Sequence, residues 1–138
     1  MDWVLLDTNV ALFLLPSRPH THSDLYRPHV EGKYSAISFV TVGELYVLAE
    51  RNNWGPASII SLEAHLRSLV VIPYDVEVCR AYARLKTGLK NPTGSARVIE
   101  SNDLWIAACA VRHGLPLITH NRRHFEGIPG LNIISEAP

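Results

Sequence analysis

Residues 101–125 read SNDLWIAACAVRHGLPLITHNRRHF, and the order of elements within them sets the fold. From about 102 to 113 the apolar residues sit at helical spacing, and the run stops at Gly114, the residue type that most readily ends a helix. Pro-Leu-Ile-Thr at 116–119 follows at once as a short apolar strand. A helix running straight into a buried strand is the repeating unit of a parallel sheet. One carboxylate, Asp103, stands at the mouth of this otherwise apolar helix, and a basic turn containing His120, Arg122, Arg123 and His124 follows the strand.

Outward from this stretch the same alternation recurs. WVLL at 3–6 is a short continuous apolar run of the doubly covered kind, and Asp7-Thr8-Asn9 turns it into a helix over VALFLL that Pro16 closes. Residues 17–29 mix Pro, Ser and His and read as a connection with a helical turn or two around Leu25 and Tyr26. KYSAIS at 33–38 makes a second strand, followed by a helix from Thr41 that spaces Val42, Leu45, Leu48 and Ala49 on one face. Gly55-Pro56 breaks the chain before an amphipathic helix over 57–69 and a β-branched third strand at 69–73. Asp75 caps the next helix, which ends in basic residues and Gly88, and a loop spans 89–101. A last strand lies near 131–135. The expected architecture is α/β, with a mostly parallel central sheet in one domain over residues 1–138.

A hydrophobic content of 47% in 138 residues is enough for a real core. Thirteen Lys and Arg balance thirteen Asp and Glu, which excludes a uniformly basic nucleic-acid coat but not a local patch. The later half is the basic one: residues 78–138 hold eight bases against four acids. Arg80, Arg84, Lys86, Lys90 and Arg97 follow one another without an acid, as a solvated helix face or as a phosphate-binding track would. Cys79 and Cys109 both fall in helices among apolar neighbours, as small hydrophobes do, and imply no disulfide scaffold. Acids at positions 2 and 7 interrupt the apolar N-terminus, which fits neither a signal peptide nor a membrane span; the expected location is cytoplasmic.

Three carboxylates carry the chemistry. Singly, each has a structural explanation: Asp7 as a helix cap, Glu44 closing a capping box with Thr41, and Asp103 facing the positive end of its helix. Together they fall at the carboxyl edge of the strands, where open α/β sheets bind ligands. Three anions in one small volume raise one another's pKa and call for a cation. An oxygen-only ligand set selects a hard ion, Mg²⁺ or Mn²⁺, usually completed by phosphate, and so implies metal-assisted hydrolysis of a phosphoester. His20, His22 and His29 offer a zinc alternative but lack Cys partners and read as surface residues. Trp3, Trp54 and Trp105 read as core or dimer contacts, because basic residues are not interleaved with them.

VLLDTNV at 4–10, TVGEL at 41–45, DLWIAACAVRHGLPLITHNRRHF at 103–125 and IPGLNII at 128–134 together resemble the PIN domain, specifically VapC-type toxin ribonucleases of toxin–antitoxin pairs. The resemblance implies a three-layer α/β/α sandwich, Mg²⁺- or Mn²⁺-dependent cleavage of RNA, a homodimer, and a cognate antitoxin that blocks the site. By position it makes Asp7 and Asp103 metal ligands and Glu44 a direct or water-mediated one. Asn9 and Thr119 become hydrogen-bonding supports. The family often carries a fourth acid after the fourth strand; here Asn121 stands in that turn and adds no charge, which favours one ion over two. Arg122 and Arg123 then hold flanking phosphates, Arg84 and Arg97 extend the RNA track, and His120 or His124 donates a proton to the leaving group.

A haloacid-dehalogenase-type phosphatase needs a second Asp where Asn9 stands, and a receiver domain needs a Lys after the fourth strand; both are absent. The remaining alternative is a non-catalytic RNA- or protein-binding module of the same fold.

Overall fold

The computed structural model describes residues 2–138. These form a parallel sheet of β1 (Trp3–Leu6), β2 (Tyr34–Ser38), β3 (Val70–Ile72), β4 (Leu117–Ile118) and β5 (Ile133–Ile134), in the order β3-β2-β1-β4-β5. The helices are α1 (Thr8–Phe13), α2 (Ser23–Val30), α3 (Phe39–Arg51), α4 (Pro56–Arg67), α5 (Val76–Gly88), α6 (Ser101–His113) and α7 (Arg122–Phe125).

Strand alternation divides the core into two layers. Val4 and Leu6 of β1 face one side with Val10, Tyr26, Ile37, Leu45, Leu62 and Ile118. Leu5 faces the other with Ala36, Val78, Leu85, Ile106, Leu117 and Phe125. Thus α1 to α4 cover one face and α5 and α6 the other, a three-layer sandwich. Each of Leu5, Leu6 and Ile118 is wholly buried and contributes roughly 1.5–3 kcal/mol of hydrophobic stabilisation. Ile106 to Ala110 are all buried as well, because the small side chains of Ala107, Ala108, Cys109 and Ala110 let α6 lie close against α5 and the sheet. Gly114 ends α6 at φ +64°, a conformation that disfavours any side chain, and the chain turns into β4.

The strand order reverses between β1 and β4. Chain connections leave β1 toward β2 on one side while β4 lies on the other, so a crevice opens at the carboxyl ends of this pair. Asp7 and Thr119 are the residues that enter it.

Several local expectations are corrected. The Thr41–Glu44 capping box does not form. Helix α3 starts earlier, and Ser38, extended at the end of β2, accepts a hydrogen bond from the Thr41 amide at 3.2 Å. Glu100 caps α6 through the Asp103 amide, and Asp103 stands in the first turn, at the helix's positive end as expected. Asp75 does cap α5, accepting from the Val78 amide at 2.8 Å. The basic turn after β4 contains the single-turn helix α7, which places Phe125 in the core. Cys109 is buried but Cys79 is exposed: α5 buries Val78, Ala81 and Leu85, and Cys79 lies about 100° round the helix from Val78.

Replacing Ser38 by Ala is expected to lower stability in urea melts by about 1 kcal/mol through loss of the cap. Cys79→Ser is expected to shift it by less than about 0.5 kcal/mol, as exposed substitutions do.

Candidate active site

Asp7 closes β1 and is only 3% exposed. Its Oδ1 accepts from the Thr8 amide at 2.8 Å, and its Oδ2 accepts from the Thr119 hydroxyl at 2.7 Å. Thr119 is itself fully buried, and its oxygen also accepts the Asn121 amide at 3.0 Å. Burial pushes the Asp7 carboxyl up to about 6; the two hydrogen bonds oppose the rise, and the charges of Asp103 and Glu44 add to it. Among the described residues no Lys, Arg or His pairs with it.

Glu44 projects from α3, one turn beyond Val40. Its Oε1 accepts from the Thr8 hydroxyl at 2.6 Å and its Oε2 from the Asn102 amide group at 3.4 Å. The Thr8 hydroxyl also lies 3.0 Å from that of Thr41. Asp103 stands in the first turn of α6, with His124 Nδ1 2.9 Å from its Oδ2. Burial raises the Asp103 pKa, the charge and hydrogen bond of His124 oppose this, and Glu100 and Glu44 reinforce it. Three segments thus bring three carboxylates near enough to perturb one another. Among the described residues, however, no three His, Cys or acidic side chains are already gathered to hold an ion. Each acid instead meets a donor at hand: Thr8 and Asn102 for Glu44, Thr119 for Asp7 and His124 for Asp103.

The remaining predicted residues divide. Asn121 begins α7 next to Thr119 and makes no capping bond with its side chain. Asn9 contributes none of the hydrogen bonds to the acids; Thr8 beside it does. Arg123 lines a cleft of about 280 Å³ with Asp103, Glu100 and His124, while Arg122 lies exposed one position before it on α7. Arg97 is spent elsewhere: its guanidinium donates to the carbonyl oxygens of Glu126 at 2.5 Å and His124 at 3.4 Å. Arg84 lines a separate cleft beside Val111, two turns of α6 from Asp103, and Arg80 pairs with Glu77 at 2.8 Å. No continuous basic track therefore runs from 80 to 97.

The three histidines read as surface residues are exposed or half-buried, and they do not gather as a trio. His29 lies 2.6 Å from Glu136, whereas His20 and His22 gather with His120, whose Nδ1 meets the buried Tyr26 hydroxyl. Trp3 packs on Tyr34 at the surface, and Trp105 stacks on Tyr82. Thr8 and Asn102 carry hydrogen bonds to Glu44 that the sequence did not suggest, although each lies beside an acid, and Thr41, expected only as a capping partner of Glu44, meets the Thr8 hydroxyl instead.

A profile of the PIN domain matches residues 4–131. The chain belongs to the PIN-domain family. It is 30% identical over 127 residues to ribonuclease VapC2 of Haemophilus influenzae, covering 92% of each chain. It is 28% identical, with the same coverage, to the tRNA(fMet)-specific endonuclease VapC of Shigella flexneri. The structure of VapBC-1 from nontypeable Haemophilus influenzae superimposes on it with a TM-score of 0.77, at 29% identity and 98% coverage of both chains.

In this PIN domain the elevated Asp7 pKa makes metal-free stability depend on pH. Because the folded value, about 6, exceeds the ordinary 3.8, the carboxyl's contribution is fully present below about pH 4 and is lost as pH rises through 6. The loss is about 3 kcal/mol. Asp7→Asn removes it but weakens the Thr119 hydrogen bond by about 1 kcal/mol. In EDTA at pH 7.5 the variant is expected to be more stable than wild type by about 2 kcal/mol, and the advantage is expected to vanish by about pH 4. Urea unfolding across that range checks it.

Proposed function

We propose that this PIN domain is a metal-dependent endoribonuclease, the toxin member of a toxin–antitoxin pair, acting on RNA phosphodiesters. The observation that carries the reading is Asp7: a buried carboxylate at the sheet's switch point, flanked by two further acids and lacking a cationic partner. Such a group is costly unless a cation joins it. The names of its relatives, ribonuclease and tRNA endonuclease, support the same chemistry.

The donor set fits a hard divalent ion, Mg²⁺ or Mn²⁺. All three candidate ligands are carboxylates, and Asp7 accepts only one hydrogen bond at each oxygen, so lone pairs remain. In our reading Asp7 and Asp103 hold the ion directly and Glu44 holds it directly or through water. When bound, the ion supplies charge neutralisation for the phosphate and acidifies a water. Thr119 fixes the Asp7 carboxylate and orders the Asn121 backbone, leaving the Asn121 amide oxygen to orient a water. Thr8 and Asn102 hold Glu44. Arg123, with Arg122 beside it, receives the flanking phosphates. His124, exposed and bonded to Asp103, is better placed than His120 to deliver a proton to the leaving oxygen, since His120 Nδ1 is committed to Tyr26. An antitoxin, a homodimeric state, a single-domain chain and a cytoplasmic location complete the proposal; structural neighbours include a toxin–antitoxin complex from Klebsiella pneumoniae and a VapBC toxin–antitoxin member from Mycobacterium tuberculosis.

Purified protein with Mn²⁺ is expected to cleave structured RNA, and EDTA to abolish cleavage. Asp7→Asn, Glu44→Gln and Asp103→Asn are each expected to slow it by about a hundredfold or more, the loss of several kcal/mol of charge stabilisation. Wild type and variants all inert would favour a binding module, the reading that Asn121 in place of a fourth acid supports. A separate salt titration of RNA binding is expected to show the slope of log affinity against log salt fall by about one in Arg123→Gln. Arg97→Gln is expected to leave that slope unchanged, because its guanidinium already serves two carbonyls.

A further inference from the structure

Beside the acids, a cleft of about 490 Å³ opens between the ends of α1 and α3, lined by Leu12, Arg18, His20, Leu48, Asn52 and Trp54 among others. Leu12 and Leu48 each lie one turn, about 6 Å, beyond Thr8 and Glu44, so the cleft lies about one helical turn from the Thr8–Glu44 contact. Its polar groups are held in place. The Arg18 guanidinium lies over the Trp54 ring, 3.9 Å from its centroid. The His20 ring is stacked on Phe13 at 4.2 Å, and its Nδ1 accepts the His22 amide at 3.0 Å. With Nδ1 engaged as the acceptor, the ring's donor is Nε2, which makes no hydrogen bond among the described residues. Asn52 turns its amide nitrogen to the Leu48 carbonyl at 2.8 Å, which leaves its side-chain oxygen as a free acceptor.

A planar cation backed by an aromatic ring, with one fixed donor and one fixed acceptor at its margin, suits a flat heteroaromatic ring whose edge carries complementary groups. We infer that this cleft is a nucleobase subsite, taking one base of the RNA strand whose phosphodiester lies at the acids. The inference rests on the ribonuclease reading for its strand. The chemistry of recognition belongs to the cleft alone: the base stacks on Arg18, and its edge meets His20 Nε2 and Asn52 Oδ1. Stacking of this kind tolerates any base, while the donor and acceptor pair favours particular edges.

The test is binding of 5′-fluorescein RNA pentamers, oligo(A), oligo(C) and oligo(U), with an abasic ribose-phosphate pentamer as control. EDTA is present, so that no strand is cut, and anisotropy is the readout. Base-bearing pentamers are expected to bind about tenfold tighter than the abasic one. Arg18→Lys, which keeps the charge but loses the planar fork, and His20→Ala are each expected to remove most of that difference while leaving abasic binding within twofold. All of these positions are exposed, so the variants retain the fold. Equal binding of abasic and base-bearing strands, or variants that bind every strand like wild type, would overturn the subsite. Competition by AMP, CMP or UMP as effective as the matching pentamer would overturn the assignment to an RNA strand. Absence of Mn²⁺-dependent cleavage with the binding pattern intact would remove the nuclease reading and leave the subsite standing.

Discussion

The site is arranged around one unfavourable act, the burial of the Asp7 carboxylate at the end of the central strand with no Lys, Arg or His among the described residues paired to it. The fold tolerates it through two donors, and the supply of those donors is a matter of register. Leu6 of β1 pairs with Ile118 of β4, so the next residues, Asp7 and Thr119, come level at the mouth of the crevice. The Thr8 amide is available because α1 begins at once. Two hydrogen bonds offset part of the desolvation but leave the carboxyl titrating near 6, well above the ordinary value. Stability is thereby conceded at the place where chemistry is proposed, as functional sites commonly do.

The strand pattern and the acids were legible because each rests on local information. Alternation in WVLL, helical spacing after Thr41 and the Gly114 stop are decided within a few residues, and the parallel five-stranded sheet follows from their order. Helix starts were less so. Thr41 and Glu44 have the right types for a capping box, but Ser38 was an equally good cap three residues earlier, and the wholly buried Thr41 belongs inside the helix. Freed from capping, Glu44 reaches Thr8, 36 residues away.

Partners distant in sequence were illegible for a general reason: a charge's role depends on what faces it. The run from Arg80 to Arg97 looks like one basic track on paper, yet Arg80 meets Glu77 and Arg97 meets carbonyls 27 and 29 residues downstream. His20, His22 and His29 form a spaced set in sequence, but α2 carries His29 toward Glu136 while the end of β4 delivers His120 to the other two. No periodicity encodes such exchanges. Thr8 and Asn102, by contrast, were within reach: each borders an acid, and a short hydroxyl or amide beside a buried carboxylate is a candidate donor.

The two aspartates differ in how freely they can be re-engaged. Asp7 is fixed by a backbone amide and a buried hydroxyl, and any ligand must come to it. Asp103 is held on a rigid helix, yet its one side-chain partner is the exposed His124. Both ends of that contact are nevertheless anchored: α6 by its buried run from Ile106 to Ala110, and α7 by Phe125 in the core and by Arg97 gripping its carbonyls. Only the imidazole itself is free to move. Releasing it forfeits a solvent-exposed hydrogen bond worth about 1 kcal/mol, far less than disturbing Asp7 would cost. On the proposed metal-dependent reading, a cation would meet one immobile carboxylate and a second that exchanges a histidine for it with little backbone movement.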